Sequence, residues 1–461
     1  EEQVIRDKLH NALELDYPKD KLDIVVVSDA STDATDAIVQ EFFEWGVRLI
    51  RSNKRLGKTA GLNEAMQQIS SQIVVFSDAN AMYDRSALRN LVRHFADPQV
   101  GYAVGHAQYL LANESAAGTS ENYYWSFEVH LKQLESRFAS VVGGDGAIYA
   151  IRRELWEPLQ ATDINDFVNP LQIVAKGFRG IFDPQAHCTE NPAGEFKKEF
   201  SRKVRIVNRS FNGLLRVPQT LNPFRVGRFS LLLISHKLLR WFSPYLLLGF
   251  LLTGFFAGTD SGLGELPVWS TALFGCFGVL ALLGAGSDMA GTTASRILSS
   301  AYYFYLMNVA SSRGLWLRMR GETIIVWNTV RTKSTSDSLD GFPYPLSFTL
   351  VTGLCFALLI YWSKGSVPVA TTSGYGLMLL LAYTYLGYPL LLRVLVKFFS
   401  VRVDRNDTYR PDATLLITAY NEAGVIRSKL ENTLRLEYPR EKLHIVVASD
   451  GSTDRTNEIV R

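Results

Sequence analysis

Two aspartates close short apolar runs. Asp29 ends DIVVVSD (23–29), and Asp78 opens the D-A-N of QIVVFSDAN (72–80). Between them lies NKRLGKTAGLN (53–63), with Arg55, Gly57 and Lys58. These residue types, in this order, can hold a nucleoside diphosphate. Asp29, after the first such run, can hydrogen-bond a base or a ribose. Asp78 and Asn80 stand two apart and can ligate a divalent cation that bridges diphosphate oxygens. Arg55 and Lys58 can neutralise phosphate charge, with Gly57 allowing close backbone approach. A lone D-x-N or G-K means little, since the first is more often a turn and the second a solvated loop. Their joint order carries the reading.

Those residues need elements to present them. The runs 23–29, 47–52, 72–79 and 101–111 read as strands. The segments 32–45, 58–70 and 85–97 between them carry apolar residues at helical spacing. Alternation of this kind predicts an α/β fold with a parallel sheet and helices on both faces. Three strands end on polar clusters, SDAS, RSNK and SDAN, and in open α/β sheets ligands sit outside the carboxyl ends of the strands. Ser31 and Thr32 beside Asp33 also suit a plain helix cap.

Composition divides the chain. The whole has 461 residues, 47% hydrophobic and 20% charged, with 48 Lys+Arg against 45 Asp+Glu. A net charge of +3 gives no case for nucleic acid as a partner. Cys188, Cys276 and Cys355 are too scattered for a disulfide framework or a zinc site. Residues 1–225 read as a soluble α/β unit, 226–400 as a region of apolar helices, and 401–461 as soluble again. Membrane spans are expected at Trp241–Gly258, Pro267–Gly286, Leu346–Trp362 and Tyr375–Val396. Ile297–Ser311, which contains Asn308, is expected to lie along the interface or dip back, as is the basic, leucine-rich stretch 229–240. The segment 313–333 carries Arg313, Arg318, Arg320, Arg331 and Lys333 against Glu322 and is expected on the cytoplasmic side.

The chain also repeats itself. Residues 1–40 match 422–461 at a constant offset of 421, with 24 of 40 positions identical. That predicts a window from a longer polypeptide with two related units in tandem. The first unit then lacks its opening strand, and the second copy shows what that strand is: TLLITAYNE (414–422).

In order, these motifs resemble the family 2 inverting glycosyltransferases, including the membrane synthases related to cellulose and hyaluronan synthases. TAYNE (418–422), the twice-occurring S-D-x-S-T-D around Asp29 and Asp450, RLGKTAGLN and SDAN carry the likeness. GGDGAIYAIRREL (143–155), DINDFVNPLQIVAKGFRGIFDP (163–184) and EFSRKVRIVNR (199–209) extend it, and YTYLGYP (383–389) looks like the helix that commonly precedes such a unit. The resemblance implies a GT-A, Rossmann-like nucleotide-sugar domain, then transmembrane helices, then the start of a second GT-A domain. It implies one-step displacement at an anomeric carbon with inversion, using a nucleotide-diphosphate sugar (UDP favoured by family habit), Mg²⁺ or Mn²⁺, and a glycan or lipid-linked acceptor. The location implied is a membrane, the bacterial inner membrane, with transferase domains facing the cytoplasm.

Asp166 then becomes the general base, kept ionised by the macrodipole of the helix it opens. Asp29, Arg55, Lys58, Asp78, Asp145 and Arg205 become donor-binding residues, and Asp78, Asn80 and His187 a metal set. Tyr420, Glu422 and Asp450 would bind donor in the second copy. Asp145 suits a turn equally well, His187 a structural role, and Glu190 either substrate binding or loop anchoring. The sequence departs from the family at Asn80 (usually Asp), Asn165 (usually Glu), Arg202 (usually Gln) and Ile206 (usually Trp), which weakens cation binding and trims an acceptor platform. A transporter or scaffold with a decayed transferase domain is the competing reading; the retained Asp29, Asp78 and Asp166 and the few charges in the apolar spans oppose it.

Overall fold

The computed structural model describes residues 4–17, 22–28, 35–51, 57–109, 116–190, 196–256, 293–324 and 367–402, with shorter stretches at 272, 275–276, 278–279, 404–407, 409, 413–419 and 443–449. It is a mixed α/β unit joined to long apolar helices. The strands are β1 (Leu22–Ser28), β2 (Val47–Arg51), β3 (Ile73–Asp78), β4 (Met82–Tyr83), β5 (Val100–Tyr109), β6 (Tyr149–Arg152), β7 (Arg179–Glu190), β8 (Ala413–Ala419) and β9 (Leu443–Ser449). The helices of the unit are α1 (Ile5–Leu13), α2 (Thr35–Gln40), α3 (Lys58–Gln68), α4 (Ala87–Val92), α5 (Ala116–Phe138), α6 (Asn165–Ala175) and α7 (Phe196–Arg216). Every residue of β1 is buried, as are Ile73 to Ser77 of β3. Strands covered on both faces read as unbroken apolar runs, which is why these two were legible.

The sheet departs from the expected boundary near 401. Strand β8, the opening strand of the second sequence copy, lies inside the first unit's sheet. It runs parallel to β1 on one side (Val25↔Leu416) and to β3 on the other (Val75↔Leu415). β9 repeats the sequence of β1 and meets β8 in the same register, Leu443↔Ala413 as Leu22↔Ala413. The two copies of the repeat thus match one and the same edge of β8, whose other edge carries β3. Beyond β3 the sheet turns mixed: β6 is antiparallel to both β3 and β5, and β7 is parallel to β5. The segment leading to β8 is tied to the unit, with Val401 N–H donating to Arg137 O at 2.8 Å and Asn406 N–H to Arg93 O at 3.2 Å.

Packing between β5 and β7 relies on one missing side chain. A Cβ on Gly180 would come within 1.9 Å of the Tyr102 ring, whose hydroxyl donates to Val141 O. Gly180→Ala is therefore expected to cost about 1–3 kcal/mol through overpacking. Chemical denaturation reads this as a lower midpoint; an unchanged midpoint shows that the ring can move aside.

After α7 come α8 (Pro223–Val226), α9 (Arg228–Leu233), a π turn at Ile234–Leu238, and α10 (Leu239–Phe256). They are followed by α11 (Thr293–Met319), α12 (Val367–Ala382), a second π turn at Tyr383–Gly387, and α13 (Tyr388–Phe399). The helical stretch Ser373–Phe399 has 27 residues and contains an 18-residue window of mean hydropathy 1.6, and it alone among the described residues is long and apolar enough to cross a membrane. The expected span Trp241–Gly258 corresponds to α10, which contains Pro244. Pro267–Gly286 falls mostly, and Leu346–Trp362 wholly, outside the described residues. The stretch expected as a short interfacial piece, 297–311, is part of the continuous 27-residue α11. Its carboxyl end docks on α7. Gly314 allows the approach, since a Cβ there would lie 2.7 Å from Val204 O, and Arg318 donates to Asn212 Oδ1 at 2.8 Å.

Candidate active site

Asp78 is delivered by the carboxyl end of β3, where the strand's burial gives way to partial exposure. Helix α3 opens at Lys58 directly after Gly57, whose φ of 89° lies in the left-handed region that glycine tolerates. This start aims the Lys58 ammonium at Asp78 Oδ1, with which it forms an ion pair.

Opposite stands Asp166, second residue of α6. Two asparagines of the helix, Asn165 and Asn169, donate to the Tyr149 hydroxyl at 2.8 and 3.0 Å. Tyr149 opens β6 and stacks on Phe76 of β3 with centroids 4.6 Å apart. Asp166 and Asp78 are thus referenced to one pair of stacked rings. Between them runs the glycine loop 143–146. Gly144 N–H donates to Asp166 O at 2.5 Å. A Cβ placed on Gly146 would lie 3.3 Å from Asp78 Oδ2 and 3.4 Å from Asp166 Oδ2. The two carboxylates therefore face a common spot kept open by a missing side chain. The segment expected as a glycine-rich strand is this loop followed by the four residues of β6.

The electrostatics differ from expectation at Asp166. Burial pushes its carboxyl above the ordinary aspartate range, Lys58 opposes the shift, and Asp145 and Asp78 add to it. Desolvation and like charge outweigh the helix terminus that was expected to keep it ionised. Its Oδ1 has no hydrogen-bond partner among the described residues. Glu190, at the end of β7, is pushed up to about 8 by burial and then by Asp78 and Asp145. Arg205 on α7 is pushed down to about 9 by burial and then by Arg209 and Arg202, while Asp78 and Asp166 work the other way. Asp78, Asp145, Asp166 and Glu190 therefore share one neighbourhood with Lys58 and Arg205.

Other expected residues sit differently. Asp145 accepts from Lys132 Nζ at 3.0 Å, and its backbone carbonyl accepts the Ile148 N–H at 2.9 Å, so it has a turn role. Arg209 holds the 161–163 backbone and Thr59, at 3.2 Å from both Ala161 O and Thr59 Oγ1, so it braces α7 against α3. The His187 ring is engaged by Asp84 at 3.3 Å and by Gln108 at 2.8 Å, which ties it to its own sheet edge. Among the described residues no group of three or more His, Cys, Asp or Glu could hold a metal ion. The donors left from the expected set are Asp78 and Asn80, which suit a cation whose other ligands come from phosphate oxygens. Asp29, Arg55, Tyr420, Glu422 and Asp450 lie outside the described residues. Lys132 and Tyr149 escaped the sequence reading. Lys132 falls one turn after Glu128 and one turn before Glu135 on a helix, a spacing that could have flagged it.

Residues 1–159 and 414–461 match the sequence pattern described as "Glycosyl transferase family 2". The chain is 26% identical over 220 residues to "Probable glycosyltransferase YdaM" of Bacillus subtilis, covering 44% of this chain and 51% of that protein. It is 34% identical over 105 residues to the beta-monoglucosyldiacylglycerol synthase of Synechocystis, 22% of each chain. It is 22% identical over 197 residues to the poly-beta-1,6-N-acetyl-D-glucosamine synthase of Staphylococcus aureus, 41% of this chain and 47% of that one. The matches thus span about half or less of those relatives' lengths. Among solved structures, the mannosyltransferase PcManGT from Pyrobaculum calidifontis, in complex with GDP-Man and Mn2+, is 20% identical with a TM-score of 0.40, over 83% of this chain and 84% of that one.

Proposed function

We propose that this chain, whose segments 1–159 and 414–461 are of family 2 glycosyltransferase type, moves a sugar from a nucleotide-diphosphate sugar to a lipid-linked or glycan acceptor at a membrane, with inversion. One observation carries the reading: Asp78 and Asp166 face the same spot across Gly146, with Lys58 seated on Asp78. A one-step displacement needs this pairing of opposites. Positive charge must gather where the diphosphate leaves, and a proton acceptor must stand on the other side.

In this reading Lys58 and Arg205 hold the diphosphate. A divalent cation shared by Asp78 and Asn80 would supply further positive charge to the leaving group. Asp166 takes the proton from the acceptor hydroxyl as it attacks, and the raised affinity of its carboxyl for a proton makes it a stronger base than an exposed aspartate. Glu190, largely protonated at neutral pH, can donate a hydrogen bond to the sugar or phosphate. The acceptor class draws support from the two named synthases, one making a glycolipid and one a glycan. The apolar stretch Ser373–Phe399 supports placement in a membrane, with the basic end of α11, docked on α7, on the side of the catalytic unit.

The test is release of nucleoside diphosphate by full-length protein in lipid vesicles, scanned over nucleotide sugars and pH. Release is expected with at least one donor. Its acid limb should lie above the ordinary aspartate pKa of about 3.9, because Asp166 must be ionised and burial raises it. No release with any donor, or an acid limb at or below the ordinary value, contradicts the reading. Stability should run the other way. Glu190 holds its proton more tightly folded than unfolded, so its contribution is present at low pH and is lost as pH rises between 4.5 and about 8.

A further inference from the structure

A cluster of buried charges away from the carboxylate pair is unused by the chemistry above. One face of α5 carries Glu128, Lys132 and Glu135, separated by four and three residues. His236 lies in the π turn between α9 and α10 and is wholly buried. Its Nδ1 is 2.6 Å from Glu135 Oε1 and its Nε2 is 3.0 Å from Glu128 Oε2. The ring is thus held between a carboxylate oxygen on each side. Arg240 of α10 pairs with Glu128 Oε1, and Tyr388, first residue of α13, donates to Glu135 Oε1 at 2.7 Å. Burial opposes the charge on Glu128, but Arg240 and His236 outweigh it and hold the carboxyl well below its ordinary range.

The same face of α5 grips the glycine loop. Val142 N–H donates to Glu135 Oε2 at 3.1 Å, and Lys132 reaches Asp145 at 3.0 Å. Val142 directly precedes Gly143, which has a φ of 84°, and the loop goes on to Gly146 between the two carboxylates. Glu135 therefore has one oxygen on the apolar helices and the other on the loop that separates Asp78 from Asp166. A buried charge with a partner on each side is costly to leave half-paired, so the two contacts hold each other in place.

We infer that Glu135, held by His236 and Tyr388, is a positioning residue that sets the glycine loop, so that the seating of the apolar helices governs the spacing of the carboxylates. This inference rests on the transferase reading for its kinetic consequence but not for its structural one. Two measurements on full-length protein in vesicles test it: hydrogen exchange of peptides covering 141–147, and turnover with donor affinity. Glu135→Gln and Tyr388→Phe are the test variants. Tyr383→Phe is the control, because its hydroxyl bonds Ser235 at 2.8 Å between the same two helical stretches rather than Glu135.

Glu135→Gln is expected to speed loop exchange and lower kcat by at least about tenfold with donor Kd within about twofold. Tyr388→Phe should do the same by about threefold, as loss of a single hydrogen bond. Tyr383→Phe should change neither. Loop exchange unchanged in both test variants overturns the inference. So does an equal loss in the Tyr383→Phe control, which would mark general helix packing. If the unmodified protein transfers nothing, the proposed function fails, while the exchange result still decides the loop's anchoring.

Discussion

Asp166→Asn is expected to lower transfer by about 10³-fold or more while leaving nucleotide-sugar affinity within about threefold. The substitution is nearly isosteric. It keeps the backbone bond from Gly144 and the Asn165–Tyr149–Asn169 anchoring that fixes the start of α6. It removes the proton acceptor alone, so the loss should fall on kcat. It also removes a buried carboxylate that Asp145 and Asp78 oppose, so the folded protein should be no less stable. Steady-state transfer with separate equilibrium titration of the donor separates the two effects. Wild-type turnover in Asp166→Asn would place the base elsewhere, and Glu190, the other buried acid beside Asp78 and Asp145, would be the next residue to test.

Asp78→Ala has the opposite signature. Its carboxylate is the partner of Lys58 and one of the two donors left for a cation. Truncation leaves Lys58 without this ion pair and the diphosphate without a cation seat, so donor affinity should fall by about 10²-fold. Donor binding should also lose its response to added Mg²⁺ or Mn²⁺. Titrating the nucleotide sugar with and without the cation reads both. An Asp78→Ala protein that binds donor with unchanged affinity and unchanged cation response would remove Asp78 from the site.

Legibility in the sequence followed burial and locality. β1 and β3 are apolar on both faces, and their ends at Ser28 and Asp78 were found because a polar residue interrupts an unbroken run. Asp166 was found through the likeness of 163–184 to a family segment, and its place at the start of a helix was legible because that helix is local. Its raised proton affinity was not legible, because it comes first from burial in the folded unit and then from Asp145 and Asp78, which are distant from it in the chain. Arg205 was expected to bind donor and Arg209 was given no role; the fold turns Arg209 to the 161–163 backbone, while Arg205 senses Asp78 and Asp166. His187 looked like a ligand by its place after a strand, and Asp84 and Gln108, brought alongside by sheet pairing, occupy it instead. The seating of β8 between β1 and β3 was not expected, since the sequence reading gave 413–419 to a second unit, although the repeat shows that it offers the strand that belongs beside 22–28.

The most direct measurement is the structure of full-length Asp166→Asn protein in lipid with a nucleotide sugar bound. The diphosphate should lie against Lys58 and Asp78, and the anomeric carbon over Gly146 on the side of residue 166. A sugar bound at a distance from Gly146, with positions 78 and 166 on separate sides of unrelated cavities, would contradict the account.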